Sequence, residues 1–82
     1  MQITVRLFAA LAEAAGTRSF PLELADDATG RDVREAVAAA YPKVGALCAR
    51  SGFAVNARYT DPDEPLHEGD EVALIPPVSG GS

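Results

Sequence analysis

Glu71-Val72-Ala73-Leu74-Ile75 restricts the fold more than any other stretch of this chain, because it is a near-continuous apolar run that stops at a Pro76-Pro77 pair. Such a run suits a central strand of a sheet, covered on both faces. Proline has no N–H to give to a ladder, so the strand ends at Pro76. Beyond it come Val78, Ser79, Gly80, Gly81 and Ser82. The two prolines stiffen the root of this tail, and the two glycines let its tip adopt whatever φ/ψ a narrow channel demands.

The remaining strands are read from alternation. Gln2 to Phe8 sets Ile3, Val5 and Leu7 on one face and Gln2, Thr4 and Arg6 on the other, which is a half-buried strand. Arg18 to Leu24 alternates with Phe20, Leu22 and Leu24 on one face, and Pro21 places that strand near an edge. Phe53 to Tyr59 reads as a third strand, with Phe53, Val55 and Ala57 on one face. Phe8 to Ala15 favours one or two helical turns and stops at Gly16.

The main helix starts near Thr29, with Asp32 three residues on in a capping-box pattern. Val33, Ala36, Val37 and Ala40 recur at i, i+3, i+4 and i+7 and form one apolar face, while Arg31, Arg34 and Glu35 face away. Pro42 ends the helix at about Tyr41. Residues 43–52 read as an irregular linker with a turn around Val44 to Leu47. Asp61-Pro62-Asp63-Glu64-Pro65 and Glu68-Gly69-Asp70 are turn segments on either side of an anchor, Leu66. The order is β, short α, β, long α, β, turn, β, with no repeat and no second domain. The expected class is α+β: a mixed four- to five-stranded sheet packed on one main helix over residues 1–76, then a flexible tail over 77–82. If the first and last strands pair in the middle, the fold is a β-grasp.

Eighty-two residues make one small domain, and a 48% hydrophobic content suits a folded chain. The net charge of −5 argues against nucleic acid as a partner, since phosphate binding needs clustered Lys and Arg. It fits docking on a basic surface. Cys48 is the only cysteine, so no internal disulfide and no cysteine metal cluster is expected. No signal peptide and no membrane-length apolar run is seen, which makes the cytoplasm the expected compartment.

Val5-Arg6-Leu7-Phe8-Ala9, Ala54-Val55-Asn56 and above all Pro65 to Gly81 carry a family resemblance. A Gly69-Asp70-Glu71-Val72 turn, an apolar strand, Pro76-Pro77-Val78 and Gly80-Gly81 rarely coincide by chance. The chain resembles the MoaD/ThiS family of ubiquitin-like sulfur carriers, most closely the molybdopterin synthase small subunit. Pro76-Pro77 points to that branch more than to the thiamine branch.

The resemblance implies a non-catalytic cosubstrate whose C-terminal glycine is adenylated with ATP on a ubiquitin-activating-type adenylyltransferase. A sulfur donor, a sulfurtransferase, then converts it to a thiocarboxylate. The loaded tail enters the large subunit of molybdopterin synthase and gives its sulfur to a pterin precursor. On this resemblance Gly81 carries the sulfur, Gly80 gives clearance, Val78 and Ser79 lie along the channel, and Phe8, Ile75, Pro76 and Pro77 dock the partner. No cofactor or metal is bound by the carrier itself.

Ser82 departs from the pattern, because the reactive tail of the family ends at the second glycine. It is trimmed by a peptidase, or is left over from cloning, or marks a paralogue that docks and is never charged. Two other roles stay open: a ubiquitin-like protein modifier, or a sulfur carrier for thiamine, cysteine or tRNA thiolation. A β-grasp interaction module with an inert tail is the third reading. Among the other residues, Leu66 suits the core, and for Phe8 and Ile75 core and docking stand level. Cys48 reads as a small apolar residue, His67 as a surface turn residue, Lys43 as a surface lysine, and the carboxylates between Asp61 and Glu71 as a solvated face.

Overall fold

The computed structural model describes residues 1–76, and Pro77 to Ser82 lie outside them. Its sheet is built from β1 (Gln2–Leu7), β2 (Ser19–Glu23), β3 (Gly52–Val55), β4 (Arg58–Tyr59) and β5 (Glu71–Ile75). The order is β2-β1-β5-β3-β4. β1 and β5 are parallel, with Thr4 opposite Glu71 and Leu7 opposite Leu74. The other pairings are antiparallel. The first and last strands therefore meet in the middle, and the fold is an α+β, ubiquitin-like β-grasp. A parallel pair needs a long crossover, and here α1 (Ala9–Ala15), β2, α2 (Gly30–Ala40) and α3 (Gly45–Ala49) all fall between the two strands.

Period-2 alternation sets what the sheet buries. Ile3, Val5 and Leu7 of β1 and Val72 and Leu74 of β5 meet Leu11 of α1 and Val33 and Val37 of α2 in one core. The central position expected of β5 holds, but cover on both faces does not: Ala73 and Ile75 are only half-buried. A chain of this size with one main helix has enough material for a single covering layer. The helices all contribute to the same core, which leaves the opposite sheet face open.

β2 is an edge strand, as Pro21 requires. Leu7 N–H donates to Arg18 O and Leu24 N–H to Met1 O at the two ends of its pairing. Alternation then turns the nitrogens of Ser19, Pro21 and Glu23 to the free edge. Pro21 thus removes an outward donor without costing a ladder bond.

The capping box at the start of α2 forms, and Thr29 N–H donates to Asp32 Oδ2 at 2.8 Å. Val33 and Val37 are buried, but Ala36 is half-buried and Ala40 exposed, so the apolar stripe is narrower than its sequence period suggests. Arg34 does not face away. It is half-buried, and its Nη2 donates to Ser51 O at 2.7 Å.

The cause lies in the segment expected to be an irregular linker, residues 43–52, which is helical as far as Ala49. A 3₁₀ turn (Pro42–Val44) leads straight into α3, and Val44 and Cys48, four apart, fill the space beside α2. The Cys48 thiol donates to Arg34 O at 3.6 Å. Two apolar residues in so short a segment give little periodicity to read.

Phe53 to Tyr59 is likewise two strands and not one. β3 and β4 form a hairpin in which Val55 pairs with Arg58, leaving Asn56 and Ala57 as a two-residue loop. Both have positive φ, 51° and 69°, the pattern whose twist suits tight hairpins. Asn favours that conformation and Ala does not, so the turn lacks the Asn-Gly signature that would have revealed it. Gly30 opens α2 for a different reason: a Cβ there would sit 2.5 Å from the ring of Phe53.

Candidate functional site

Because β5 runs parallel to β1, Ile75 and Pro76 leave the sheet at the end where β1 delivers Phe8. Phe8 has extended backbone, φ −124° and ψ 152°, and so continues the alternation of β1 onto the face of Arg6. It is 41% exposed. The guanidinium of Arg6 lies 5.6 Å from the centre of its ring, a cation–π contact that holds the ring on the surface. The chain then turns sharply, with Ala9 at φ 49°, and enters α1. A non-glycine residue in the left-handed region costs of order 1–3 kcal/mol and marks a place where the surroundings dictate the backbone.

Register completes the open face. Ile75 is opposite Gly52, Ala73 is opposite both Ala54 and Arg6, and Tyr59 is opposite Ala54. Directly paired residues share a face, so Arg6, Ala54, Tyr59, Ala73 and Ile75 lie together. Gly52, Ala54 and Ala73 are small and keep the middle flat, Ala54 itself being buried between its neighbours. Phe8 and Ile75 stand at one end of the face, and Tyr59, 82% exposed, at its outer strand. The root of the tail is therefore an apolar surface with an aromatic at its border. Pro76, half-buried, is the last described residue of this site. Pro77, Val78, Ser79, Gly80 and Gly81, expected to dock or to carry sulfur, lie outside the described residues. Leu66 belongs to the core on the other side of the sheet.

The rest of the molecule offers little side-chain chemistry. Burial pushes the Cys48 thiol up, and the nearby Arg34 charge pulls it back only in part. A buried thiol of this kind stays protonated and unreactive. The hydrogen bond from Arg31 holds the Asp63 carboxyl below its ordinary value, with the guanidinium charge adding to it. The Asp63 carboxylate pairs with Arg31 on the surface. His67 Nδ1 lies 4.0 Å from Asp70, and its side chain is 82% exposed. Among the described residues no set of three or more His, Cys, Asp or Glu is arranged to hold a metal, and no helix is long and apolar enough to cross a membrane.

Asn56 is the residue whose part was not legible. Its N–H donates to Glu71 O at 2.8 Å, its Oδ1 accepts from Glu71 N–H at 2.9 Å, and its Nδ2 donates to Asp70 Oδ1 at 3.0 Å. It ties the hairpin to the start of β5 and so fixes the register of the strand that bears the tail. Its place in the Ala54-Val55-Asn56 stretch pointed to Asn56 without showing what it binds, and its positive φ is not visible in sequence.

Comparison with known proteins agrees with this geometry. The ThiS family model matches residues 5–81. The molybdopterin synthase sulfur carrier subunit of Chlamydomonas reinhardtii is 42% identical over 83 residues, which is 99% of this chain and all of that protein. Small archaeal modifier protein 1 of Haloferax volcanii is 37% identical, covering 93% of this chain and 97% of that protein. The crystal structure of SAMP1 from that organism superimposes with a TM-score of 0.85, over 99% of this chain and all of the other, at 35% identity. A complex of subunits 1 and 2 of molybdopterin-converting factor from Helicobacter pylori contains a chain that superimposes with a TM-score of 0.70 at 27% identity, over 99% of this chain and all of that one.

Proposed function

The chain belongs to the ThiS family, and we propose that it is the sulfur carrier of a molybdopterin synthase, with its own tail as the working part. The observation that carries this is the end-to-end match to a molybdopterin synthase sulfur carrier subunit. The parallel β1–β5 pair supports it, because it sets the tail root beside an exposed Phe8. Once Ser82 is removed, a Gly81 carboxylate oxygen attacks the α-phosphorus of ATP on an adenylyltransferase and pyrophosphate leaves. A persulfide of the donor displaces AMP to give an acyl disulfide, and a second thiol cleaves its S–S bond, leaving the thiocarboxylate and a disulfide on the donor side. From Pro76 to Gly81 the extended chain spans roughly 15–20 Å, enough to reach a recessed site in the large subunit, where the pterin precursor takes the sulfur. Phe8, Ile75, Pro76 and Pro77 form the docking surface, Val78 and Ser79 line the channel, and Gly80 gives clearance. Known subunit 1–subunit 2 assembly in the Helicobacter pylori complex supports this choice of partner.

The test is reconstitution. The chain ending at Gly81 is mixed with ATP, the adenylyltransferase and a sulfur donor, then with the large subunit and precursor. Mass spectrometry should show one oxygen replaced by sulfur, and the loss of that sulfur when precursor is added. A chain that never forms an adenylate is an interaction module and not a carrier. The full-length similarity to small archaeal modifier protein 1 favours a second reading. In it the Gly81 acyl group is transferred to a lysine of another protein with release of AMP. Conjugates that carry this tail in cell extracts would distinguish it.

A further inference from the structure

The chain has a net charge of −5, but its charge is sorted along the strand axis. At the end where the tail leaves, Arg18 precedes β2, Arg50 closes the α3 connection, and Arg6 sits one residue from the end of β1. Arg18 and Arg50 are exposed, and neither enters an ion pair among the described residues. Arg6 and Arg18 share with Phe8, Ala12 and Thr17 a surface groove of about 490 Å³, in which Glu13 is the one carboxylate.

The opposite end is acidic. The loop 24–29 and the later part of the loop 60–70 are joined there by Leu66 N–H to Ala28 O, and Gly69 N–H donates to Gln2 O at the start of β1. These loops carry Asp26, Asp27, Glu64, Glu68 and Asp70, beside the Asp63 paired with Arg31, and Arg58, opposite Val55, is an exposed cation at that end.

Distance decides which charge a docking partner meets. β1 has six residues, so the two ends are separated by roughly 20 Å at about 3.3 Å per residue. The screening length at physiological salt is about 8 Å. A surface in contact with the tail root therefore meets first Arg18 and Arg50, unpaired among the described residues, Arg6 being paired with Glu71 at 3.5 Å, and the distant carboxylates are screened. Net charge alone points to a basic partner. The placement of the charges points to the reverse for this end of the molecule.

We propose that the tail root docks into an apolar socket rimmed by carboxylates. The apolar part receives Phe8 and Ile75, and the rim meets Arg18 and Arg50. The identity of the partner, the large subunit, rests on the proposed function above, whereas the polarity of the surface does not.

Two measurements test it. In the first, amide shifts of the labelled chain are followed during titration with polyglutamate at 0.15 M salt. Shifts confined to the neighbourhood of Arg6, Phe8, Arg18, Arg50 and Ile75 are expected; shifts elsewhere, or none, overturn the polarity. In the second, binding to the large subunit is compared for the unaltered chain, for Arg18→Glu with Arg50→Glu, and for Asp26→Lys with Glu68→Lys. The arginine pair should weaken binding about tenfold or more, mostly through the association rate, and the acidic-end pair less than about threefold. Equal effects, or a tighter complex from the arginine reversal, refute the acidic rim. An unaltered chain that does not bind the large subunit at all removes that partner, and the polyglutamate map still decides the surface.

Discussion

Gly30→Ala should destabilise this protein, although the same change in an open helix stabilises it. Gly30 is the first residue of α2, and helix propensity alone favours Ala over Gly by up to about 1 kcal/mol. Against that, the added Cβ would stand 2.5 Å from two carbons of the Phe53 ring and 3.0 Å from a third. Phe53 is 3% exposed and packed in the core, so the ring cannot swing away into solvent. Overpacking of this kind costs typically about 1–3 kcal/mol. The clash wins, with a net loss of about 1–2 kcal/mol and a Tm lower by roughly 5–15 °C for a domain of this size. Gly45→Ala is the control, because a Cβ there meets nothing within 4 Å and Gly45 already has helical φ and ψ. It should be neutral or stabilise by up to about 1 kcal/mol. Thermal and urea unfolding followed by circular dichroism measures both. Phe53→Leu combined with Gly30→Ala should recover part of the loss, as expected for neighbours in contact. A Gly30→Ala protein as stable as the parent, or a double variant that is strictly additive, would refute the packing argument.

Three further outcomes follow from the same structure. Ala57→Gly removes a side chain from φ 69° in the β3–β4 turn and should stabilise by about 0.5–1 kcal/mol, seen as a raised urea midpoint with unchanged slope. Cys48, raised by burial, should resist iodoacetamide in the folded protein at neutral pH and react at once in denaturant. Its stabilising effect is complete below the unfolded thiol pKa and is lost as pH rises toward the folded one, so alkylation and alkaline unfolding should set in together. Deleting Gly81 and Ser82 should abolish sulfur loading and leave the unfolding midpoint unchanged, because the core is made by residues up to Leu74.

The sheet was legible because its signal is local. Ile3, Val5 and Leu7, and the run from Val72 to Ile75, declare strands by period, and Pro21 declares an edge by its missing donor. Thr29 with Asp32 marked the start of α2 for the same kind of reason. What escaped depended on tertiary contact. Val44 and Cys48 specify α3 only once α2 is there to receive them, and Arg34 is drawn inward only by Ser51. The Asn56–Ala57 turn hides because Ala57 is held at a φ it does not prefer. The face at the tail root was half legible. Phe8 and Ile75 could be named from the family pattern, but the strand register that joins them to Ala54, Ala73 and Tyr59 is a property of the sheet. The polarity of the tail end was the least accessible, since net charge points the other way.

The central claim is that the tail is a carrier of sulfur, and the intact mass of the chain isolated from its own cells tests it most directly. Molecules that end at Gly81 are expected, a fraction of them heavier by one oxygen-to-sulfur exchange. A population that retains Ser82 throughout, with no sulfur at its end, would contradict it.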